Sequence, residues 1–219
     1  MVERGEARAF WQRETLAWRR QWRLAGVDEV GRGPLAGPVV AAAVILPAGV
    51  SYPTLDDSKV VPPRERARLL RHMQADGARI GLGAVGPAGI DRLNIYQATR
   101  LAMWRALAAL PGTPDWVVVD AMAIAAPVPV EALVGGDGRC ASVAAASVVA
   151  KVLRDRCMTA LDARFPGYGF AQHKGYATAQ HKEALVRWGP CPAHRRSFLT
   201  GGAFAEPSAD GHDEKGPLL

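Results

Sequence analysis

The sequence predicts an α/β domain with a mixed sheet of five strands flanked by helices. Residues 24–46 contain two apolar runs joined by a glycine-rich turn, which is the pattern of a β-hairpin. Further short apolar runs occur at 78–85, 116–119 and 127–134, with helical segments between them. Because the hairpin comes first and later strands alternate with helices, the antiparallel part of the sheet should precede the parallel part.

Length and composition limit the class of protein. A chain of 219 residues can bury one large core, and 49% hydrophobic with 22% charged residues is typical of a soluble globular protein. No apolar run is long enough to cross a membrane and residues 1–6 lack a signal-peptide core, so we expect a cytoplasmic protein, and we expect it to be monomeric. Three scattered cysteines (Cys140, Cys157 and Cys191) disfavour a disulfide framework or zinc site. The net charge of +6 favours a polyanionic partner.

Helices and loops complete the predicted order of elements. Helices are expected at 6–20, 64–71, 95–110, 141–165 and 178–188. Residues 87–94 are predicted to form a loop that enters a helix, and residues 166–176 a glycine-rich loop. Residues 1–200 should form a single domain, whereas 201–219, rich in glycine, proline and charge, have the composition of a disordered tail.

Four acidic residues are candidate metal ligands. Asp28 and Glu29 interrupt an apolar run, and a buried carboxylate is costly unless it is paired, hydrogen-bonded or bound to a metal. Asp120 ends the predicted strand 116–119, and Asp137 lies in a Gly-Gly-Asp-Gly turn. A sheet can gather such acids at one edge, where all-oxygen ligation suits Mg²⁺ or Mn²⁺. Two such ions could activate a water and stabilise the leaving oxygen in phosphodiester hydrolysis.

Ordinary alternatives for these acids remain open at this point. Asp120 could end a strand and Asp137 could occupy a common turn, without any role in chemistry. Asp155 is expected to form ion pairs on a helix surface. Neighbours on a regular strand face opposite sides, so Asp28 and Glu29 can share a site only at a strand end, at a bulge or through water.

Glycine, cationic and aromatic residues are candidate contacts for nucleic acid. The triplet Gly31-Arg32-Gly33 can present backbone groups and a guanidinium to a sugar and a phosphate. The segments 173–176 and 194–198 pair cations with aromatic rings, which suits phosphate neutralisation and stacking, although a solvated basic face is the alternative. For His173 and His181 a structural role is favoured over a metal site, since no cysteine or carboxylate has a supporting spacing.

The segment Gly-Val-Asp-Glu-Val-Gly-Arg-Gly-Pro-Leu-Ala-Gly at 26–37 resembles the signature of the bacterial ribonuclease HII (type 2 ribonuclease H) family. Similar family motifs are Asp57-Ser58-Lys59, the run at 145–151 and the two basic aromatic segments. The resemblance covers about 22–198, and motifs that occur jointly and in order are specific. It implies a ribonuclease H-like fold with a C-terminal helical extension from about Ala141.

The resemblance also implies roles for individual residues. Asp28, Glu29 and Asp120 match the family's metal-binding acids, and Asp137 matches its fourth active-site acid. From this match we expect Asp28 to bridge two Mg²⁺ or Mn²⁺ ions, Glu29 and Asp120 each to help hold one ion, and Asp137 to assist the second. Ala121 replaces the glycine that usually follows the third acid, and this change leaves the carboxylate intact.

Substrate contacts follow from the same resemblance. Gly31, Arg32 and Gly33 match the segment that recognises the 2′-hydroxyl of a ribonucleotide, and Tyr176 matches a tyrosine that packs on the sugar of the following deoxynucleotide. Further expected contacts are Lys59, Ser147, Lys151 and Arg195. The implied activity is cleavage 5′ of a ribonucleotide, in RNA–DNA hybrids and at single ribonucleotides embedded in DNA, giving a 3′-hydroxyl and a 5′-phosphate. A replication or repair partner for residues 201–219 is a further possibility.

Three other classes of protein are weighed against this one. A dinucleotide-binding enzyme is disfavoured because the glycine spacing departs from GxGxxG and a strand follows where a helix should begin. A resolvase or integrase of the same fold would share the carboxylates without needing a 2′-hydroxyl reader. A non-catalytic nucleic-acid-binding module is disfavoured because uncompensated carboxylates repel phosphates.

Overall fold

A five-stranded mixed sheet forms the centre of the protein in a computed structural model that describes residues 9–56 and 58–199. The strands are β1 (Leu24–Val30), β2 (Val39–Ile45), β3 (Arg79–Val85), β4 (Trp116–Asp120) and β5 (Val130–Leu133). Their order across the sheet is β3-β2-β1-β4-β5. The first three strands pair antiparallel, and β4 and β5 continue the sheet parallel to β1. This arrangement confirms the predicted ribonuclease H-like architecture.

The helices flank this sheet. They are α1 (Gln12–Arg19), α2 (Pro63–Ala75), α3 (Pro87–Leu93), α4 (Ile95–Ala108), α5 (Ala141–Arg164), α6 (Phe170–His173) and α7 (Ala179–Trp188). Short 3₁₀ turns span Gly136–Gly138 and Arg196–Phe198. Within the described residues no helix is both long and apolar enough to cross a bilayer.

Two of the predicted loops contain helices. Residues 87–93 form α3 because Pro87 is pre-set for the first helical turn, where a missing N–H costs nothing. Asn94, with a φ of 63°, then ends α3 and caps α4 through its side chain. The segment 166–176 contains the one-turn helix α6. The prediction of continuous loops was therefore wrong at both places.

Two helical layers cover the two faces of the sheet. One face packs against α4, with Val27, Ala41 and Ala43 in its core, and the other packs against α2 and α5. Helix α5 lies very close to β1, since a Cβ at Gly26 would approach the carbonyl carbon of Ser142 to 2.1 Å. This close packing brings the first half of α5 beside the carboxyl end of β1.

Some predictions concern residues outside this part of the chain. They are the tail 201–219, the beginning of the predicted helix 6–20, and Asp57. The limits of the domain and the nature of the tail therefore stay predictions.

Candidate active site

Three of the four predicted acids lie at the same edge of the sheet. The pairing of β1 with β2 runs without a bulge from Ala25 to Val30. The parallel pairing of β1 with β4 ends at Val27 opposite Val119, one residue before Asp28 and Asp120. Asp28 and Glu29 therefore lie at a strand end on the β4 side, where β1 extends beyond β4, and not at a bulge.

Asp28 and Glu29 still point to opposite faces of β1. Asp28 shares the face of Gly26 and is buried against α5, where the side chain of Ser147 partly offsets the rise in its pKa. Glu29 lies on the other face, with its Oε1 3.5 Å from the guanidinium of Arg32. The backbone N–H of Glu29 donates to Oδ1 of Asp28 at 2.7 Å. The strand end therefore offers carboxylate oxygens on both of its faces.

Burial and mutual repulsion raise the pKa values of these carboxyl groups. The pKa of Asp28 lies well above its ordinary value, first because the group is buried and then because of the negative charges of Glu29 and Asp120. Burial also raises the pKa of Glu29. The positive charge of Arg32 opposes this rise, and the negative charge of Asp120 adds to it. Negative charge at this edge is therefore unfavourable until a cation compensates it.

Asp120 and Asp137 are connected through the turn that follows β5. The N–H of Gly136 donates to Oδ1 of Asp120 at 2.8 Å, which holds the 3₁₀ turn against the end of β4. Asp137 is buried in that turn, and the N–H of Gly138 donates to its Oδ1 at 3.0 Å. The ammonium of Lys59 lies 3.4 Å from Oδ2 of Asp137. The fourth acid thus reaches the edge of the sheet through Asp120.

The donor set fits a hard divalent cation. All four side chains supply carboxylate oxygens, the ligands that Mg²⁺ and Mn²⁺ prefer. Among residues 9–56 and 58–199, no three His, Cys, Asp or Glu side chains lie close enough together to hold a metal ion by themselves. Mg²⁺ is commonly held by only one or two carboxylates, keeps several waters and takes further ligands from substrate phosphates.

The glycine turn after these acids has two different glycines. Gly31 has a φ of +92°, and a Cβ there would lie 2.1 Å from Nε of Arg154. Gly33 has no positive φ, and a Cβ there would meet no atom within 4 Å. Arg32 between them is half exposed. The turn is therefore packed tightly from behind at Gly31 and open at Gly33.

The other predicted contacts divide into exposed and buried side chains. Lys59 is 80% exposed and Tyr176 is 45% exposed, so both are accessible to a ligand. Ser147 is buried, and its hydroxyl lies 2.8 Å from the hydroxyl of Ser58. Arg195 is fully buried. For Ser147 and Arg195, direct contact with substrate is therefore less consistent with the structure than a supporting role.

Lys151 belongs to an ion-pair network on α5. Its ammonium lies 2.7 Å from Oδ1 of Asp155, one helical turn away. Oδ2 of Asp155 lies 3.4 Å from the guanidinium of Arg66, which also donates to the carbonyls of Ser58 and Val61. The predicted ion pairs of Asp155 are confirmed. They tie the segment that carries Lys59 to α5.

Two supporting residues were missed by the sequence analysis. Arg154 is fully buried in α5, and Asp91 of α3 accepts hydrogen bonds from the N–H groups of Arg196 and Ser197, both at 3.0 Å. A signal for Arg154 was available, since it lies seven residues, or two helical turns, after Ser147 and so shares the buried face. No local pattern distinguishes Asp91.

Comparison with known proteins identifies the family. The family model of ribonuclease HII matches residues 25–201. The chain belongs to the ribonuclease HII family. Ribonuclease HII of Geobacillus kaustophilus is 56% identical over 176 residues, covering 80% of this chain and 68% of the relative. Ribonuclease HII of Moorella thermoacetica is 53% identical over 197 residues, covering 90% and 95%.

A solved structure supports the same assignment. Ribonuclease H2 from Pyrococcus horikoshii superimposes with a TM-score of 0.67 at 26% identity, covering 80% of this chain and 93% of that chain. Members of this family are metal-dependent endoribonucleases with ribonuclease H activity on RNA–DNA hybrids, and this chain is one of them. The classes of dinucleotide-binding enzyme, resolvase or integrase, and non-catalytic module are accordingly set aside.

Proposed function

We propose that this ribonuclease cleaves on the 5′ side of a ribonucleotide, both in RNA–DNA hybrids and at single ribonucleotides embedded in duplex DNA. The products would carry a 3′-hydroxyl and a 5′-phosphate. The observation that carries this proposal is the position of the Gly31–Gly33 turn, which begins where β1 ends, two residues after Glu29. A group that reads a ribose there lies next to the group that acts on its phosphate.

The turn is suited to reading a sugar. The 2′-hydroxyl distinguishes RNA from DNA at a given position, and backbone groups can bind it whatever the base. The open space beside Gly33 allows close approach of a substrate, while the packing behind Gly31 keeps the backbone in place. Arg32, half exposed and paired with Glu29, can reach a neighbouring phosphate.

The four acids would hold two divalent ions, Mg²⁺ or Mn²⁺, with Asp28 shared between them, Glu29 and Asp120 each on one, and Asp137 assisting the second. When bound, such ions lower the pKa of an attacking water and neutralise charge on the scissile phosphate and the leaving oxygen. The N–H of Glu29 orients Asp28, and the N–H of Gly136 orients Asp120. These supporting bonds keep each carboxylate in one direction before substrate arrives.

Exposed side chains would complete the contact with the duplex. Tyr176 is positioned by its own backbone, since its carbonyl accepts from the N–H of Thr178 at 2.8 Å and lies 2.9 Å from Nδ1 of His181. Its ring can pack on the sugar of the nucleotide after the ribonucleotide. Lys59 and Lys151 would neutralise phosphates, and Ser147 and Arg195 would support the site from within.

The deciding experiment uses a DNA duplex that contains one ribonucleotide, incubated with enzyme and Mg²⁺ or Mn²⁺. We expect a single cut 5′ of the ribonucleotide and ends that carry a 3′-hydroxyl and a 5′-phosphate. An RNA–DNA hybrid serves as the positive control, and the all-DNA duplex of identical sequence as the negative control. Cleavage of the hybrid alone, or cleavage 3′ of the ribonucleotide, would contradict the proposal.

A second experiment tests the role of Tyr176. Replacing Tyr176 by Ala should slow cleavage at a single ribonucleotide more than cleavage of the hybrid, because only the former offers a following deoxyribose. The variant Tyr176→Phe, which keeps the ring, is the matched control. Equal rates for the wild type and Tyr176→Ala on the embedded ribonucleotide would exclude the stacking role. The partner of residues 201–219, the monomeric state and the cytoplasmic location stay predictions.

A further inference from the structure

Two arginines, Arg154 and Arg195, have no exposed surface although each carries a positive charge. Arg154 lies in α5, and Arg195 directly precedes the 3₁₀ turn Arg196–Phe198. Arg154 donates to the carbonyls of Pro38 at 3.0 Å, Lys174 at 3.0 Å and Ala36 at 3.2 Å. Arg195 donates to the carbonyls of Gly37 at 3.0 Å, Arg32 at 2.8 Å and Gly31 at 2.6 Å. Together the two guanidinium groups bind five residues of the segment 31–38.

Burial of these charges has a cost that ion pairing does not offset. In the described part of the chain no carboxylate lies within ion-pair distance of either guanidinium. Burial, followed by the charge of Arg154, lowers the pKa of Arg195 to about 9. Backbone carbonyls in fixed directions are thus the main compensation, and a guanidinium, with its planar fork of donors, is the side chain that can bind several of them at once.

The segment 31–38 lies between two segments from the C-terminal part of the chain. On one side the N–H of Leu35 donates to the carbonyl of Gly175 at 2.8 Å. On the other side the N–H of Arg195 donates to the carbonyl of Leu35 at 2.8 Å, and Ala36 forms an isolated bridge with His194. The ribose-reading turn and the loop of Tyr176 are therefore joined through one short piece of backbone.

Glycines permit this close packing. A Cβ at Gly31 would lie 2.1 Å from Arg154, and a Cβ at Gly175 would lie 2.5 Å from the carbonyl oxygen of Ala36. Both residues also have positive φ values, of 92° and 84°. The carbonyls of three successive residues are all bound. Arg154 donates to the carbonyl of Lys174, and the N–H of Leu35 donates to that of Gly175. The carbonyl of Tyr176 accepts from the N–H of Thr178 and lies 2.9 Å from Nδ1 of His181. Very little freedom remains between the two loops.

We propose that Arg154 and Arg195 form a clamp that sets the distance between the Gly31–Gly33 turn and Tyr176. They are positioning residues for recognition of a ribonucleotide followed by a deoxynucleotide. This inference rests on the proposed roles of the turn and of Tyr176. A single embedded ribonucleotide requires both contacts at once, one on the ribose and one on the next deoxyribose. A hybrid offers many equivalent riboses, so it depends less on the distance between the two loops.

The test is Arg154→Lys, which keeps the charge but replaces the planar fork with a single donor atom. We expect the rate at a single ribonucleotide to fall about fivefold or more relative to the rate on an RNA–DNA hybrid, as loss of one or two hydrogen bonds to a charged group would give. Arg156→Lys, an exposed position on the same helix, is the matched control and should leave the ratio unchanged. An equal fall on both substrates would overturn the clamp.

A double-mutant cycle supplies a readout that a purely structural role would not change. In the Tyr176→Ala background the clamp has no ring to position, so Arg154→Lys should then cost little of the remaining selectivity. Additive losses would overturn the proposal. If the wild-type enzyme cuts the hybrid but not the single ribonucleotide, the proposed function has failed and the clamp fails with it. Failure of the clamp alone leaves wild-type cleavage at the single ribonucleotide intact.

A second variant covers the case in which Arg154→Lys does not fold. Asp91 holds the segment of Arg195 from the surface, through the N–H groups of Arg196 and Ser197. Asp91→Ala should loosen this segment without opening the core, and the selectivity ratio should shift in the same direction by a smaller factor. A lower melting temperature with an unchanged ratio would mean that the segment only stabilises the fold, and would overturn the proposal.

Discussion

Buried charge is handled in opposite ways on the two sides of the Gly31–Gly33 turn. On one side Asp28 and Glu29 lie close to Asp120, and burial, to which repulsion between the acids adds, raises the pKa values of both Asp28 and Glu29. On the other side Arg154 and Arg195 together donate six hydrogen bonds to backbone carbonyls. Within the described residues no cation pairs with the buried Asp28, whereas backbone carbonyls satisfy both arginines. Chemistry is thus expected on the first side and positioning on the second.

The largest effect should come from neutralising the acid side. Asp28→Asn keeps the shape of the side chain but removes the charge needed for a cation, so turnover should fall by at least about a hundredfold, the scale of losing one electrostatic contact in a transition state. Because the buried carboxylate is repelled by its neighbours, the melting temperature should stay equal or rise. Both are measured on one sample, by hybrid cleavage and thermal unfolding. Full activity with Mg²⁺ would contradict the assignment of Asp28.

A second comparison separates the two glycines of the turn. Gly31→Ala should destabilise the fold by roughly 1–3 kcal/mol from the positive φ alone, with the contact to Arg154 adding to it. Gly33→Ala should change stability by less than about 0.5 kcal/mol but still slow cleavage, since its Cβ would project into open space where a sugar must approach. Urea unfolding and cleavage rates measure the two effects. Equal destabilisation by both substitutions would show that the turn is packed on both sides.

Histidines near the clamp show a third way to bury an ionisable group, which is to keep it neutral. Nε2 of His194 lies 3.0 Å from Nε2 of His181, and burial, then the neighbouring His181, lowers the pKa of His194 to about 4. Below pH 6.5 the unfolded chain binds a proton that the folded chain does not take up until about pH 4. Stability should therefore decrease as the pH falls through this window.

Urea midpoints at pH 7.5, 6.0 and 5.0 measure this dependence. His194→Gln should make it shallower over the same interval, because the variant cannot be protonated. The exposed His72 provides the control. The urea midpoint of His72→Gln should depend on pH as steeply as that of the wild type. A variant at His194 that retains the full pH dependence would place the responsible group elsewhere.

The smallest effect is expected at Lys59, where the charge is exposed and lies 3.4 Å from Asp137. Lys59→Gln should raise the KM for a hybrid about threefold at low salt, the scale of one surface charge. The difference should shrink as the salt concentration increases, because exposed charges are screened. Arg71→Gln, at an exposed position on α2, is the matched variant for comparison. A salt-independent change in kcat would instead indicate a direct role in the reaction.

The succession of strands along the chain, with the antiparallel part first, and the gathering of acids at one edge of the sheet could be predicted from the sequence. Short apolar runs that end in Asp28 or Asp120 are local patterns, and parallel strand ends meet at one edge of a sheet. The helix α3 was missed because Pro87 and Gly89 indicate a loop when they are considered alone. A bulge at Glu29 was one open alternative, and only the pairing registers removed it.

What the sequence determined by itself is the set of residue types that the chemistry needs and the strands that carry them. What only the tertiary structure decided is whether each basic side chain faces solvent or binds backbone carbonyls inside the protein. Arg195 is a residue type expected to contact phosphate. It is nevertheless buried and donates to the carbonyl of Gly31, 164 positions earlier in the chain, and Arg154 donates to the carbonyl of Pro38, 116 positions earlier. The partner of a guanidinium is set by backbone brought together in the fold, and no local spacing encodes which carbonyls those will be.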